Sequence, residues 1–217
     1  ITFETGRLDT PWTGHWISDP TYQFKEKKVS PVPMTFRKQI ETTKPIASAK
    51  IYATALGIYD LYLNGERIGN RYFAPGFTSY RHWLQYQTYD VTAMLTGNNT
   101  LTAVVAGGWA VGSFVVTRIN RHDGDRQALL LELRINYADG TEEIIGTDDT
   151  WDVTEQGNVR MADIYDGETC DATVDLDQAA WNRAAVETLR IMPELVADYS
   201  APVIVHEEFR HDTQSLH

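Results

Sequence analysis

This sequence has a single cysteine, Cys170, so no internal disulfide can form. The fold must rest on packing, and nothing demands an oxidising compartment, which leans toward a cytoplasmic setting and leaves secretion open. No stretch approaches the about 20 apolar residues of a membrane span, so no membrane partner is expected. The start, ITFETG, has neither an initiator Met nor a basic-then-apolar signal region, and we expect a piece of a longer protein. Basic residues are also scarce. Nineteen against thirty acidic residues give a net charge of −11, which argues against nucleic acid, because phosphate backbones are held by clustered cations. The carboxylate excess leaves a divalent cation, or a neutral ligand, open as a partner. The six histidines form no HxH or HExxH spacing, and no GxSxG, P-loop or dinucleotide fingerprint follows a strand.

What is present is alternation. From residue 51 to 63 the odd positions Ile51, Ala53, Ala55, Tyr59, Leu61 and Leu63 are apolar, the period of strands with one buried face. Asn64-Gly65 then supplies two residues tolerant of positive φ, as a tight hairpin turn requires. In a second hairpin, Leu129, Leu131, Leu133, Ile135 and Tyr137 alternate with Leu130, Glu132, Arg134 and Asn136, and Asp139-Gly140 turns into the strand 141–145. Further strands are expected at 34–42 and 150–154, and near 85–90 and up to Ala106, with a short turn of helix over 92–95. No long amphipathic helix is evident. This pattern predicts an all-β fold, an antiparallel β-sandwich of the jelly-roll, galactose-binding-like type; an immunoglobulin-type sandwich is disfavoured because no Cys–Trp–Cys spacing exists. We expect an N-terminal connector at 1–33, the sandwich at 34–180 and a C-terminal connector at 181–217. The basic run Lys25-Glu26-Lys27-Lys28 belongs to the first connector and reads as solvated.

Candidate chemistry concentrates in three places. DIYDGETCDA, residues 163–172, carries Asp166 and Glu168, whose Cα atoms in an extended chain lie about 6.5 Å apart on one side. That spacing admits capped turns and ion pairs, calcium or ligand binding, or an acid–base pair on a glycosidic bond. RINRHDGDRQ, residues 118–127, groups Asn120, His122, Asp123 and Asp125 around Gly124, short of a full calcium loop. Aromatic residues crowd 59–89, and Trp109 follows a Gly pair at a strand end; such rings stack on the apolar face of a sugar, or fill a core or an interface.

The segments FRKQI, ATALGIYDLYLNGERIG, APGFTSYRHWLQYQTYDVTAML, Gly107-Gly108-Trp109, ALLLELRINYADGTEE, TDDTWDV and DIYDGETCDA occur in an order that resembles the N-terminal β-sandwich module of bacterial α-L-rhamnosidases, over about residues 1–205. The opening resembles a junction after a fibronectin-like module, and PVIVHEEF resembles the beginning of another β domain. The resemblance implies a multidomain glycoside hydrolase that releases terminal α-L-rhamnose with inversion, through carboxylates on a separate (α/α)-barrel. This chain would then be a non-catalytic accessory module whose partners are the other domains of the parent enzyme and rhamnose-containing glycans. In some relatives such a module binds L-rhamnose through calcium, using an Asp-Asn pair after the hairpin and a later loop; the nearest positions here are Gly69-Asn70-Arg71 and residues 120–125. Gly69 stands at the acidic position, Ala110 where the family carries Tyr, and Cys170 where it carries an aromatic ring. Together these readings mark Asn70, Arg71, Trp109, Asn120, Asp125, Asp166 and Glu168 as carbohydrate-binding candidates, and Asn70, Asn120 and Asp125 as candidate metal ligands. No catalytic residue is assigned; no cofactor is required, and Ca2+ stays open. Two rival readings are an autonomous calcium-dependent rhamnose-binding module and a hydrolase using Asp166 and Glu168.

Overall fold

A computed structural model describes residues 6–7, 10–23, 29–114, 117, 119–190 and 192–209; the basic run at Lys25 and Arg118 fall outside them. Its strands, in chain order, are β1 (Ile17–Ser18), β2 (Met34–Glu41), β3 (Ile46–Leu56), β4 (Ile58–Leu63), β5 (Glu66–Arg67), β6 (Trp83–Asp90), β7 (Asn98–Ala106), β8 (Ala128–Tyr137), β9 (Glu142–Gly146), β10 (Asp152–Thr154), β11 (Val159–Asp163), β12 (Gly167–Cys170), β13 (Asn182–Arg183), β14 (Ala185–Val186) and β15 (Glu194–Ala197). One four-residue helix, α1 (Gly108–Val111), interrupts them.

The expected sandwich is what forms. One sheet runs β14-β1-β8-β3-β6-β15 with β9 also on β8; the other runs β13-β10-β2-β7-β4-β5; β11 and β12 make a separate hairpin. Alternation decides what lies between the sheets. Ala49, Ile51, Ala53 and Ala55 of β3 and Leu129, Leu131, Leu133 and Ile135 of β8 meet Phe36, Leu61, Leu63, Leu101, Ala103 and Val105 from the other sheet, together with Trp151. The register sets like against like: Ile51 opposes Leu133, and Phe36 opposes Ala103.

The chain changes sheets at Gly57, between β3 and β4. Its φ is +137°, and a Cβ there would stand 2.2 Å from the Ala106 carbonyl oxygen, so only glycine fits. Gly108 presses on the same corner, with Ile58 2.7 Å from where its Cβ would be. The Gly-Gly pair thus serves close packing.

Three details depart from the sequence reading. Residues 92–95 form a single turn closed by Met94 N–H to the Val91 carbonyl, 3.0 Å, and opened by Thr92 N–H to the Asp90 carboxylate, and it does not extend into a helix. The strand expected from 150 starts at Asp152, since the Asp148 carboxylate folds Thr150 into a turn. The first half of the outward face of β8 is not solvated: Leu130 and Glu132 are buried beneath the segment carrying Arg7, Trp12 and Thr13. The flanking segments are knitted into the sheets, β1 and β14 on one edge, β13 on another, and β15 parallel to β6.

Candidate functional site

The Asn64–Gly65 turn, φ 54° and 82°, closes β4 onto β5 so that Tyr62 opposes Arg67. Asp60 lies two residues before Tyr62 on the same outward face, so the hairpin delivers a guanidinium to a carboxylate: Arg67 Nη2 donates to Asp60 at 2.5 Å. The same guanidinium sits 4.5 Å over the Tyr72 ring and donates to the carbonyls of Gly69 and Arg71. Burial pushes the Tyr62 phenol up, and the Asp60 charge adds to it.

Outward positions of neighbouring strands complete a floor. Ile58 stands beside Ala106, Asp60 beside Val104 and Tyr62 beside Thr102. Above it the β11–β12 hairpin forms a roof, folded at Gly167, φ 82°. Asp163 anchors that roof, accepting from Ser30 Oγ, from Ser113 N at 3.1 Å and from Tyr165 N at 2.9 Å. Between floor and roof lies a groove of about 590 Å³. Glu168 and Cys170 line its roof side, and the Cys170 thiol donates to Glu168 at 2.9 Å. That carboxylate pushes the thiol pKa up.

A smaller cavity, about 100 Å³, lies across the wall made by Tyr72 and Phe73. Arg71 forms an ion pair there with Asp198, whose side chain is 8% exposed, and Trp109 of α1 lines the same space. Trp109 meets Phe73 at 6.1 Å and Phe77 at 5.9 Å, edge to face, and Phe77 stacks on Phe114 at 6.0 Å. Phe73 and Phe77 are 45% and 59% exposed, so these rings form a ridge open to solvent.

The structure thus brings Arg71 and Trp109 together and sets Glu168 on the far side of a shared wall. Asp166 is exposed in the β11–β12 turn and is not among the groove's lining residues, so it and Glu168 do not face one cavity. Asn70 is exposed just before Arg71. Asn120 is buried and braces its loop, donating to the Val29 carbonyl at 2.6 Å and accepting from Arg121 at 2.7 Å. Asp125 sits 3.6 Å from Arg126. Asn120 Oδ1 thus accepts from a guanidinium and one Asp125 oxygen stands near another, and among the described residues no group of three or more His, Cys, Asp or Glu side chains could hold a metal. Asp60 and Arg67 escaped the sequence reading although the period-2 pattern of β4 places Asp60 outward beside Tyr62. Asp198 escaped it because the pairing of β15 with β6 is what carries it to Arg71.

The fold is a two-sheet antiparallel sandwich with aromatic and carboxylate-lined recesses on its surface. The family model for the α-L-rhamnosidase N-terminal domain matches residues 44–209, and the chain belongs to that family. It is 38% identical over 174 residues to an α-L-rhamnosidase of Streptomyces avermitilis, covering 76% of this chain and 17% of that protein, and 34% identical over 180 residues to one of Formosa agariphila, covering 80% and 19%. Among solved structures, the Streptomyces avermitilis α-L-rhamnosidase complexed with L-rhamnose aligns with a TM-score of 0.75 at 37% identity, over 82% of this chain and 18% of that one. The native enzyme from Aspergillus terreus aligns at 0.73 and 28%, over 81% and 21%. The chain spans about a fifth of the length of the relatives it matches.

Proposed function

We propose that this chain is the non-catalytic accessory module of a multidomain α-L-rhamnosidase, presenting a carbohydrate-recognition surface while inverting hydrolysis takes place on a separate helical domain of the parent protein. Its partners are then the other domains of that enzyme and rhamnose-containing glycans. The observation that carries the recognition part is the solvent-open ridge Phe73–Trp109–Phe77 beside the Arg71–Asp198 pair: rings to stack on a pyranose face, with fixed polar groups to bond its hydroxyls. Recognition runs without calcium, because guanidinium groups already face the candidate donors on Asn120 and Asp125.

Calorimetric titration of the purified chain with methyl α-L-rhamnoside tests this. Saturable binding is expected, unchanged by chelator and lost in Trp109→Ala; because Trp109 also packs against the cluster of Tyr80, Ala110 and Val111, the exposed Phe77→Ala is read beside it, with binding weakened and the melting profile retained. A flat isotherm at millimolar sugar sinks the recognition role, and binding abolished by chelator returns the calcium-dependent reading. The same preparation is expected to release nothing from an aryl α-L-rhamnoside; turnover that disappears in Asp166→Asn or Glu168→Gln would overturn the non-catalytic assignment.

A further inference from the structure

We propose that the groove between the outer face of β2, β7 and β4 and the β11–β12 roof is a second binding site, separate from the Trp109 ridge, and that its ligand is a short neutral oligosaccharide. The outward face of an antiparallel sheet that meets water is ordinarily polar. Here Ile58, Val104 and Ala106 face outward together, and the hairpin that covers them leaves a space of about 590 Å³. That volume falls within the range of small-ligand clefts, about 300–1,000 Å³.

The lining chemistry selects among ligands. Tyr62 and Tyr72 offer ring faces, Val104 and Ile58 offer an apolar floor, and Thr102, Asn158, Asp60 and Glu168 offer hydroxyl, amide and carboxylate groups to a polyol. A sugar ring has this division, with C–H groups on its faces and hydroxyls at its edge. The charge balance narrows the class further. Asp60 and Glu168 are the acidic side chains on the wall, and the neighbouring guanidinium of Arg67 is committed to Asp60, to two carbonyls and to the Tyr72 face. No uncommitted cation among the described lining residues greets an anion, so uronates, sulfates and phosphates are disfavoured and a neutral glycan is accepted.

Cys170 makes the site directly testable, because the one thiol of the chain is exposed on the groove wall. Alkylation by iodoacetamide at pH 8 is followed while a methyl glycoside of an α-linked L-rhamnose disaccharide, or a digalacturonate, is added; the choice of sugar rests on the family reading above, whereas the groove does not. The rhamnoside is expected to slow alkylation saturably, about ten-fold when nine tenths of the sites are filled, and the digalacturonate to leave it unchanged. Tyr62→Ala is expected to raise the half-protecting concentration at least ten-fold. Glu168→Gln, on an exposed hairpin whose loss of charge leaves the core untouched, is expected to do the same. An unchanged alkylation rate while calorimetry still detects binding that Trp109→Ala removes would overturn the groove and leave the ridge standing. Protection that survives Trp109→Ala supports a groove distinct from the ridge, and protection lost in that variant overturns the separation of the two. Silence in both measurements ends both, and equal protection by digalacturonate refutes the charge argument.

Discussion

Replacing Glu132 with alanine removes the acceptor around which the outer layer of the larger sheet is organised. The Glu132 carboxylate accepts from Arg7 Nη1, from Thr13 N and Oγ1, from Gly14 N at 3.2 Å and from Arg134 Nη2 at 3.3 Å. The Arg7 and Glu132 side chains are 3% and 0% exposed. Taking away one partner of a buried pair leaves an uncompensated charge and costs about 3–5 kcal/mol. For a domain of this size that corresponds to a drop in Tm of about 6–20 °C. Arg7→Ala is expected to cost less, because Thr13, Gly14 and Arg134 still satisfy the carboxylate. The double variant is expected to fall short of the sum of the two by about 0.5–3 kcal/mol. Burial pushes the Glu132 carboxyl up, but the hydrogen bonds from Thr13 and the Arg7 charge outweigh it and hold it below its ordinary value of 4.5. The folded chain therefore binds that proton more weakly than the unfolded one. Its contribution is complete above about pH 4.5 and is lost as pH falls through the depressed folded value. Thermal melts of the parent, both single variants and the double variant, repeated from pH 7 to pH 3, read all of this. A Tm change under about 2 °C for Glu132→Ala, or strict additivity, would refute the reasoning.

Gly57→Ala is expected to lower stability by more than about 1 kcal/mol, because φ +137° is strained for any side chain and the new Cβ would collide with the Ala106 carbonyl; a urea midpoint equal to the parent's contradicts the corner geometry. Asp163→Ala is expected to loosen the groove roof without disturbing the core, so hydrogen exchange quickens across 159–170 and stays unchanged in β3 and β8. Burial raises the Asp163 carboxyl and the bonds from Ser30, Tyr165 and Ser113 outweigh it, holding the net value down. The roof is accordingly held above the ordinary carboxylate range and released as pH falls through the depressed folded value, which the same exchange measurement at low pH tests.

Both hairpins were readable in the chain itself. Asn64-Gly65 and Asp139-Gly140 sit between alternating runs, and turn chemistry and side-chain period act over a few residues, so neither needs its surroundings to declare itself. The seven family segments were equally visible. Of the site, the hairpin's own ion pair, Asp60 with Arg67, follows from the same register. The Arg71–Asp198 pair was beyond such reasoning, as its partners are 127 positions apart.

The order of residues by itself dictated the all-β class, the strand pairs that share a turn, and the apolar stripe that each strand turns inward, because these follow from backbone sterics and a two-residue period. Packing in three dimensions dictated which edges the flanking segments occupy, why Glu132 is dry, how the β11–β12 hairpin roofs a groove, and that Asn120 and Asp125 answer to arginines. Those outcomes depend on contacts between distant parts of the chain, whose energies exist only once both sheets have closed on each other.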